Sequence, residues 1–315
     1  MNHRVRTGQA KTSGIKKLVW LTVLLGITIG IIRIIGSRRA VTIVSPIPDE
    51  AKETTSILTN WFAKKKSADD LRKKIQELVN NRWKNYSVYV KDYTSSFTMG
   101  INETVIFTAA SVNKVPIVAA LYYYAGKGEI DLDERVTIQA RDVQDFGTGS
   151  IRYDPPGSVY SLKTLAKLAI EQSDNTAAYV LGNYTVGLDR VQSLMNEWGL
   201  TQTDMVNNKT TSRDMNQLFE KIYKGEVTNA ASTQEMLAFF KDTDFEDRLP
   251  ALLPDTVTVY HKIGNEIAVM HDAGIVTDGK AAYYIGVFSS DITDEEEAKK
   301  VIAQVSKLVY DYLTP

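Results

Sequence analysis

The chain has 315 residues, of which 43% are apolar and 24% are charged, and its formal net charge is −1. A chain of this length buries a sizeable core in one or two domains without help from disulfides. Because it contains no cysteine, it has no disulfide framework, thiolate metal site, Fe–S cluster or cysteine nucleophile. Its three histidines, His3, His261 and His271, are too few for us to expect a multi-histidine metal centre.

The charges are unevenly distributed along the chain. Residues 1–39 contain eight basic side chains and no acidic one, whereas residues 40–315 contain 29 basic and 38 acidic side chains. Phosphate binding requires clustered cations. The acidic body therefore argues against nucleic acid as a partner, and the basic N-terminal stretch needs a separate explanation.

An apolar segment follows the first basic residues. Leu18–Ile32 carries no charge, and two further isoleucines follow Arg33. The hydrocarbon core of a bilayer requires about 20 such residues, and an arginine near the end of a helix can reach the interface. We predict a basic cytoplasmic tail over residues 1–17 and an uncleaved transmembrane anchor over residues 18–36. A cleaved signal peptide is the alternative, but no clear cleavage site follows the apolar run.

The charges around this segment also predict its orientation. Basic residues before the apolar run favour an internal N-terminus and hence an external body. Pro46 and Pro48 discourage helix in the stretch that follows, so we interpret residues 37–67 as a linker. The sequence thus predicts a single-pass membrane protein whose folded domain, residues 68–315, is extracytoplasmic.

Hydrophobic periodicity divides the body into strand-rich ends and a helical middle. Amphipathic helices are predicted over residues 70–82 and 294–313, and helical patterns dominate residues 114–224. The predicted strands are Tyr86–Tyr93, Ser96–Val105, Val257–Ile263, Ala268–Thr277 and Ala281–Ser289. This order cannot form consecutive βαβ units. It predicts an α+β fold, in which one antiparallel sheet is built from both chain ends, with flanking terminal helices and an inserted all-helical subdomain.

The first chemical motif is the tetrad Ser111-Val112-Asn113-Lys114, which opens a predicted helix. Residues three apart share one helical face, so the lysine amine can lie beside the serine hydroxyl. A desolvated lysine can accept the proton that makes a serine hydroxyl nucleophilic. The tetrad alone is a weak signal, because a second one, Ser13-Gly14-Ile15-Lys16, lies in the basic tail.

Two further motifs follow in the chain. Ser173-Asp174-Asn175 interrupts an apolar helical stretch, and Lys262-Ile263-Gly264 lies at the end of a predicted strand. Three small polar residues within an apolar run are expected to face a cleft or to cap a helix. A lysine followed by glycine places a cation beside a backbone that a substrate can approach closely.

Together, and in this order, the three motifs resemble the S-x-x-K, S-D-N and K-T-G set of class A β-lactamases and penicillin-binding proteins. The segments GTGSIRYDPPGSVY and GLDRVQSLMNEWGL extend the resemblance on either side of S-D-N. We judge that it covers residues 68–313, nearly the whole body. The resemblance implies a β-lactamase/transpeptidase-like fold and a serine enzyme that needs no metal or organic cofactor.

The resemblance also implies roles for individual residues. Ser111 would be the acylated nucleophile, Lys114 the proton acceptor or relay, and Ser173 the proton donor to the leaving nitrogen. These three are the predicted catalytic residues.

The predicted substrate-binding residues are carried over in the same way. Asn175 would bind the substrate amide, and Lys262 would attract its carboxylate beside Gly264. The backbone N–H groups of Ser111 and Asn265 would form the oxyanion hole.

The sequence departs from the family pattern in two places. Ile263 occupies the hydroxyl position of K-T-G and cannot donate a hydrogen bond to a substrate carboxylate. The segment between the next two predicted helices, residues 201–211, contains no glutamate and only one acid, Asp204. The family's deacylating glutamate is therefore missing, and we expect the acyl-enzyme to persist.

Three functions remain open at this point. The leading hypothesis is hydrolysis of β-lactams through an acyl-enzyme on Ser111 with slow deacylation. The second is a D,D-peptidase or another peptidoglycan-acting enzyme, and the third is a scaffold that binds cell-wall fragments without chemistry. The expected partners are a β-lactam or peptidoglycan-derived small molecule and, through the N-terminal helix, a membrane. The sequence does not predict the oligomeric state.

Overall fold

The computed structural model describes residues 66–314. Their centre is a five-stranded antiparallel sheet made of β1 Asn85–Asp92, β2 Thr98–Ile101, β7 Thr258–Glu266, β8 Val269–Thr277 and β9 Ala282–Ser290. The spatial order of these strands is β2-β1-β9-β8-β7. The first two strands come from the N-terminal end of the body and the other three from its C-terminal end, so β1 and β9 pair along their full length.

Helices and short strands occupy the rest of the described chain. The helices are α1 Ala68–Val79, α2 Lys114–Gly126, α3 Leu162–Glu171, α4 Asn175–Val180, α5 Leu188–Glu197, α6 Ser212–Tyr223, α7 Ala230–Ala238 and α8 Glu295–Leu313. The short strands are β3 Phe107–Thr108, β4 Arg135–Thr137, β5 Val159–Ser161 and β6 Lys209–Thr210, which pair as β3-β6 and β4-β5. A 3₁₀ turn, Ala110–Asn113, leads directly into α2.

Two apolar clusters cover the two faces of the sheet. The terminal helices α1 and α8 pack on one face through residues such as Leu71 and Val305. The helical segment between β2 and β7 packs on the other face, where Phe219 of α6 meets Tyr284 of β9. Side chains alternate between the faces of a strand, so β8 and β9, which are covered on both faces, are buried almost throughout. The sheet is thus the middle layer of three.

The structure confirms the predicted α+β fold with its antiparallel sheet from both chain ends. The helical middle is less uniform than predicted, because the β4-β5 pair and the β3-β6 pair lie within it or at its edge. No helix among residues 66–314 is long and apolar enough to cross a bilayer. The predicted tail (1–17), the predicted anchor (18–36) and nearly all of the predicted linker (37–67) lie outside the described residues.

Candidate active site

The S-x-x-K tetrad lies where β3 passes into α2. Ser111 is in the 3₁₀ turn and half-buried, and Lys114 opens α2 with only 7% of its surface exposed. Ala110, the residue before the serine, has a φ of 47°, a left-handed conformation that costs energy for a residue with a Cβ and is concentrated at functional sites. Among the hydrogen bonds of residues 66–314, none involves the Ser111 hydroxyl, and the Lys114 amine that we predicted beside it bonds to the S-D-N residues instead.

The Lys114 ammonium joins the first motif to the second. Its Nζ donates to Ser173 Oγ at 3.1 Å and to Asn175 Oδ1 at 2.7 Å, and it also donates to the Ser173 carbonyl. Burial lowers the pKa of Lys114 from 10.5 to about 7, although the nearby Asp174 carboxylate opposes the shift. A lysine with this pKa exchanges a proton readily near neutral pH.

The S-D-N triplet forms the connection between α3 and α4. Ser173 is fully buried and has a φ of 55°. Asp174 is the N-cap of α4, where it accepts a hydrogen bond from Ala177 N at 2.9 Å, and its other oxygen accepts one from Ile151 N at 2.9 Å. The buried aspartate therefore fixes the turn that presents its two neighbours, Ser173 and Asn175, to Lys114.

We expect an Asp174→Ala variant to lose more stability than an ordinary helix cap accounts for. The substitution leaves two buried backbone N–H groups without acceptors, which costs about 1–3 kcal/mol per group. Asp294→Ala is a matched control, because Asp294 caps α8 from an exposed position through one bond to Glu297 N. Urea unfolding should show a clearly larger decrease for Asp174→Ala, and equal decreases would contradict this role.

The third motif lies on β7, next to the 3₁₀ turn. A Cβ on Gly264 would lie 2.9 Å from Ala109 O and 3.0 Å from a methyl group of Val112, so only glycine lets the strand approach the segment around Ser111 this closely. Asn265 follows at the exposed end of the strand. Ile263 is 3% exposed and supplies no polar group.

Lys262 lies under this edge of the sheet. It is 1% exposed, and its Nζ donates to the Ile263 carbonyl at 3.2 Å. Burial lowers the pKa of Lys262 well below its ordinary value, and repulsion from Lys114 and Arg248 adds to the effect. The two lysines of the separate motifs are therefore close enough to interact.

Sequence reasoning missed Arg248, which belongs to the same group of cations. Its side chain is 1% exposed, and its guanidinium donates to His271 O at 3.0 Å. We call Lys114, Lys262 and Arg248 the cationic floor. Buried positive charges attract an anionic ligand more strongly than exposed ones do, because screening is weaker inside the protein.

A buried His–Asp pair links β7 to β8, because His261 belongs to β7 and Asp272 to β8. His261 Nδ1 lies 2.8 Å from Asp272 Oδ1, and Leu249 N donates to Asp272 Oδ2 at 3.1 Å. Burial alone would lower the pKa of His261, but Asp272 and Glu246 together raise it to about 9. The pair therefore has a structural role, since it ties the strand that carries Lys262 to the next strand of the sheet.

The one carboxylate in the loop before α6, residues 201–211, is that of Asp204, and its own turn occupies it with hydrogen bonds. Asp204 accepts hydrogen bonds from Val206 N and Asn207 N, both at 2.9 Å, and from Asn207 Nδ2 at 2.8 Å. These bonds lower the pKa of the Asp204 carboxyl, which stabilises the turn. The loop contacts the residues just before Ser111 through its backbone, since Ala109 N donates to Asn208 O at 2.8 Å.

Three known proteins are similar to this chain over more than three-quarters of its length. A β-lactamase from Bacteroides uniformis is 28% identical over 275 residues, which is 77% of this chain and 90% of the relative. The structure of PBP-A is 29% identical with a TM-score of 0.72, covering 78% of this chain and 96% of PBP-A. A mutant of PBP-A, solved as an acyl-enzyme complex with penicillin G, is 28% identical with the same TM-score and coverage.

A sequence model describing the β-lactamase enzyme family matches residues 70–313. The match covers more than three-quarters of the chain and includes all three motifs. The chain therefore belongs to the β-lactamase enzyme family.

Proposed function

We propose that this protein opens β-lactams by forming an acyl-enzyme on Ser111 and that it releases the product slowly. The observation that carries the proposal is the buried Lys114 ammonium, which has a lowered pKa and is bound to Ser173 and Asn175. Family membership and the penicillin acyl-enzyme formed by a mutant of the similar PBP-A support the choice of substrate.

In the proposed acylation, Ser111 Oγ attacks the lactam carbonyl carbon while its proton passes to neutral Lys114 Nζ. The C–N bond of the lactam then breaks, and the nitrogen takes a proton from Ser173 Oγ. Lys114 returns a proton to Ser173 through their 3.1 Å contact. The backbone N–H groups of Ser111 and Asn265 would stabilise the oxyanion, a contribution of about 3–4 kcal/mol for a donor of this kind.

The cationic floor supplies the second recognition element. Penicillins and cephalosporins carry a carboxylate on the ring fused to the lactam. The Arg248 guanidinium stays protonated and provides positive charge for this carboxylate, and Lys262 adds to it in its protonated form, which an anionic ligand favours against the effect of burial. Ile263 provides no hydroxyl. Asn175 is held by the Phe146 carbonyl, which accepts from its Nδ2 at 2.9 Å, and the amide is thereby oriented for the substrate side chain.

Slow release follows from the loop before α6. Hydrolysis of the ester needs a general base for water, which commonly contributes about 10²–10⁴-fold. The Asp204 carboxylate already accepts three hydrogen bonds within its own turn, so we do not assign it this task.

Intact-protein mass spectrometry over time tests the proposal. On mixing with penicillin G, we expect a mass increase equal to the whole penicillin molecule that decays over minutes to hours. Rapid return to the free mass with product formation would show efficient turnover and contradict slow deacylation. No adduct with any β-lactam would reject the acylation mechanism and favour a non-catalytic scaffold.

A D,D-peptidase is the second candidate, and the occupied Asp204 carboxylate favours it over an efficient β-lactamase. The same acylation steps would cleave a peptide ending in D-Ala-D-Ala. Release of D-alanine from such a peptide, faster than the decay of the penicillin adduct, would support this candidate.

The location of the protein is a separate proposal that rests on the sequence. We propose that residues 18–36 hold the enzyme in the cell membrane as a single span, with the catalytic domain outside the cytoplasm. The full-length protein should then stay with membranes during alkaline carbonate extraction, and release of the protein would contradict the anchor.

A further inference from the structure

A cleft of about 370 Å³ adjoins the S-D-N turn and takes no part in the mechanism above. We call it the Tyr153 cleft. Its walls include Thr148, Ser150, Arg152, Tyr153, Asp244 and Phe245.

Three consecutive residues that lead into the S-D-N turn, Glu171, Gln172 and Ser173, bond to these walls. Asp244 N donates to Glu171 O at 3.1 Å, and Ser150 N donates to the Gln172 side chain at 3.2 Å. Thr148 Oγ1 donates to Ser173 O at 3.0 Å. The cleft is therefore directly beside Ser173, and its position is fixed by the same turn that presents the Ser173 hydroxyl.

The Phe245 wall of the cleft lies near Lys262 of the cationic floor. The Phe245 ring lies 5.9 Å from Lys262 Nζ. In the proposed reaction, Ser173 protonates the departing nitrogen and Lys262 attracts the carboxylate of the departing part. The cleft thus lies against both groups that handle the leaving side of the substrate.

The chemistry of the walls favours a planar apolar ligand. Tyr153 is 76% exposed, and the Arg152 guanidinium lies 4.8 Å from its ring centroid. The guanidinium covers one face of the ring, and the large exposed fraction leaves ring surface that a ligand can contact. Arg152 and Asp244 bring opposite charges to the lining, so the cleft has no net charge with which to select an ion.

We propose that the Tyr153 cleft binds an aromatic substituent carried by the leaving amine of the acyl donor. This inference rests on the proposed function, because that function defines which part of the substrate leaves. The same aromatic group could come from the dihydrothiazine ring of a cephalosporin or from an aromatic residue at the C-terminus of a peptide.

The first test compares two cephalosporins with the same acyl side chain, one with a methyl group and one with a styryl group on the dihydrothiazine ring. We expect the styryl compound to acylate the wild-type protein faster by about two- to tenfold beyond its intrinsic reactivity, the range expected for one aromatic contact. The ratio of the two acylation rates should decrease by this factor in Tyr153→Ala. Differences in intrinsic reactivity cancel when the ratios of two variants are compared.

Tyr184→Ala is the matched control. Tyr184 is also exposed, at 57%, but it bonds to Tyr179 and does not line the cleft. Its ratio should equal that of the wild type. Equal ratios in all three proteins would count against the cleft.

A second test does not depend on acylation, and its probe, D-phenylalanine, stands for the aromatic residue at the C-terminus of a peptide. In saturation-transfer NMR, the wild type and Tyr184→Ala should transfer saturation to the phenyl protons of D-phenylalanine, and Tyr153→Ala should transfer much less. Should no β-lactam acylate Ser111, the proposed function fails, and this measurement alone decides on the cleft. The inference is overturned when neither the acylation ratio nor the phenyl signal depends on Tyr153.

Discussion

Replacing Ser111 by alanine should abolish covalent labelling by a fluorescent penicillin. No other described hydroxyl combines a position at the start of α2 with a lysine of lowered pKa three residues later. Removal of a nucleophile from a serine enzyme typically lowers the rate by a factor on the order of 10⁶. The expected result is therefore the complete absence of a labelled band on a denaturing gel.

The chain offers a matched control for this experiment. Ser13 heads the second S-x-x-K tetrad, in the basic tail. Ser13→Ala should label as strongly as the wild type. Undiminished labelling of Ser111→Ala would reject Ser111 as the acylated residue.

The acylation rate should increase with pH and level off above about pH 7. In the proposed mechanism the neutral form of Lys114 accepts the serine proton, and burial places the pKa of this lysine at about 7. Below this pH the ammonium predominates, and its three acceptors hold it in the charged form. Stopped-flow acylation between pH 5 and pH 9, at constant ionic strength and a saturating concentration of the β-lactam, measures the profile.

Lys114→Met removes the base and should lower acylation by about 10²–10⁴-fold while abolishing the inflection. Lys262 also has a lowered pKa, so it needs its own control. Lys262→Arg keeps a positive charge at every pH of the experiment, and the inflection should persist in it. An inflection that survives in Lys114→Met and disappears in Lys262→Arg would assign the base to Lys262 instead.

The sequence was most informative where structure depends on local pattern. Strand-like runs between turns predicted β1, β8 and β9 to within one or two residues. Alternation contributed only for β1, because β8 and β9 are buried on both faces. The S-x-x-K and S-D-N motifs could be found because each is a short run of neighbouring residues. In the structure, Lys114 of the first motif bonds to Ser173 and Asn175 of the second.

Long-range contacts were less accessible from the sequence. Arg248 lies in no motif, and its burial against His271 depends on how the segment before β7 folds back on the sheet. The second bond of Asp174, to Ile151 N, joins residues that no spacing rule connects. The strands β4 and β5 have three residues each, too few to show a period.

The pairing of β1 with β9 has a consequence for how the protein is made. On the ribosome, β1 emerges early, and the strand that covers its inner edge emerges only after almost the entire body has been synthesised. Pairing between such distant segments makes folding slow, and incomplete chains expose strand edges that aggregate. Nascent chains of this protein should therefore depend on chaperones until the last strand is released, and truncation before β9 should leave no folded enzyme.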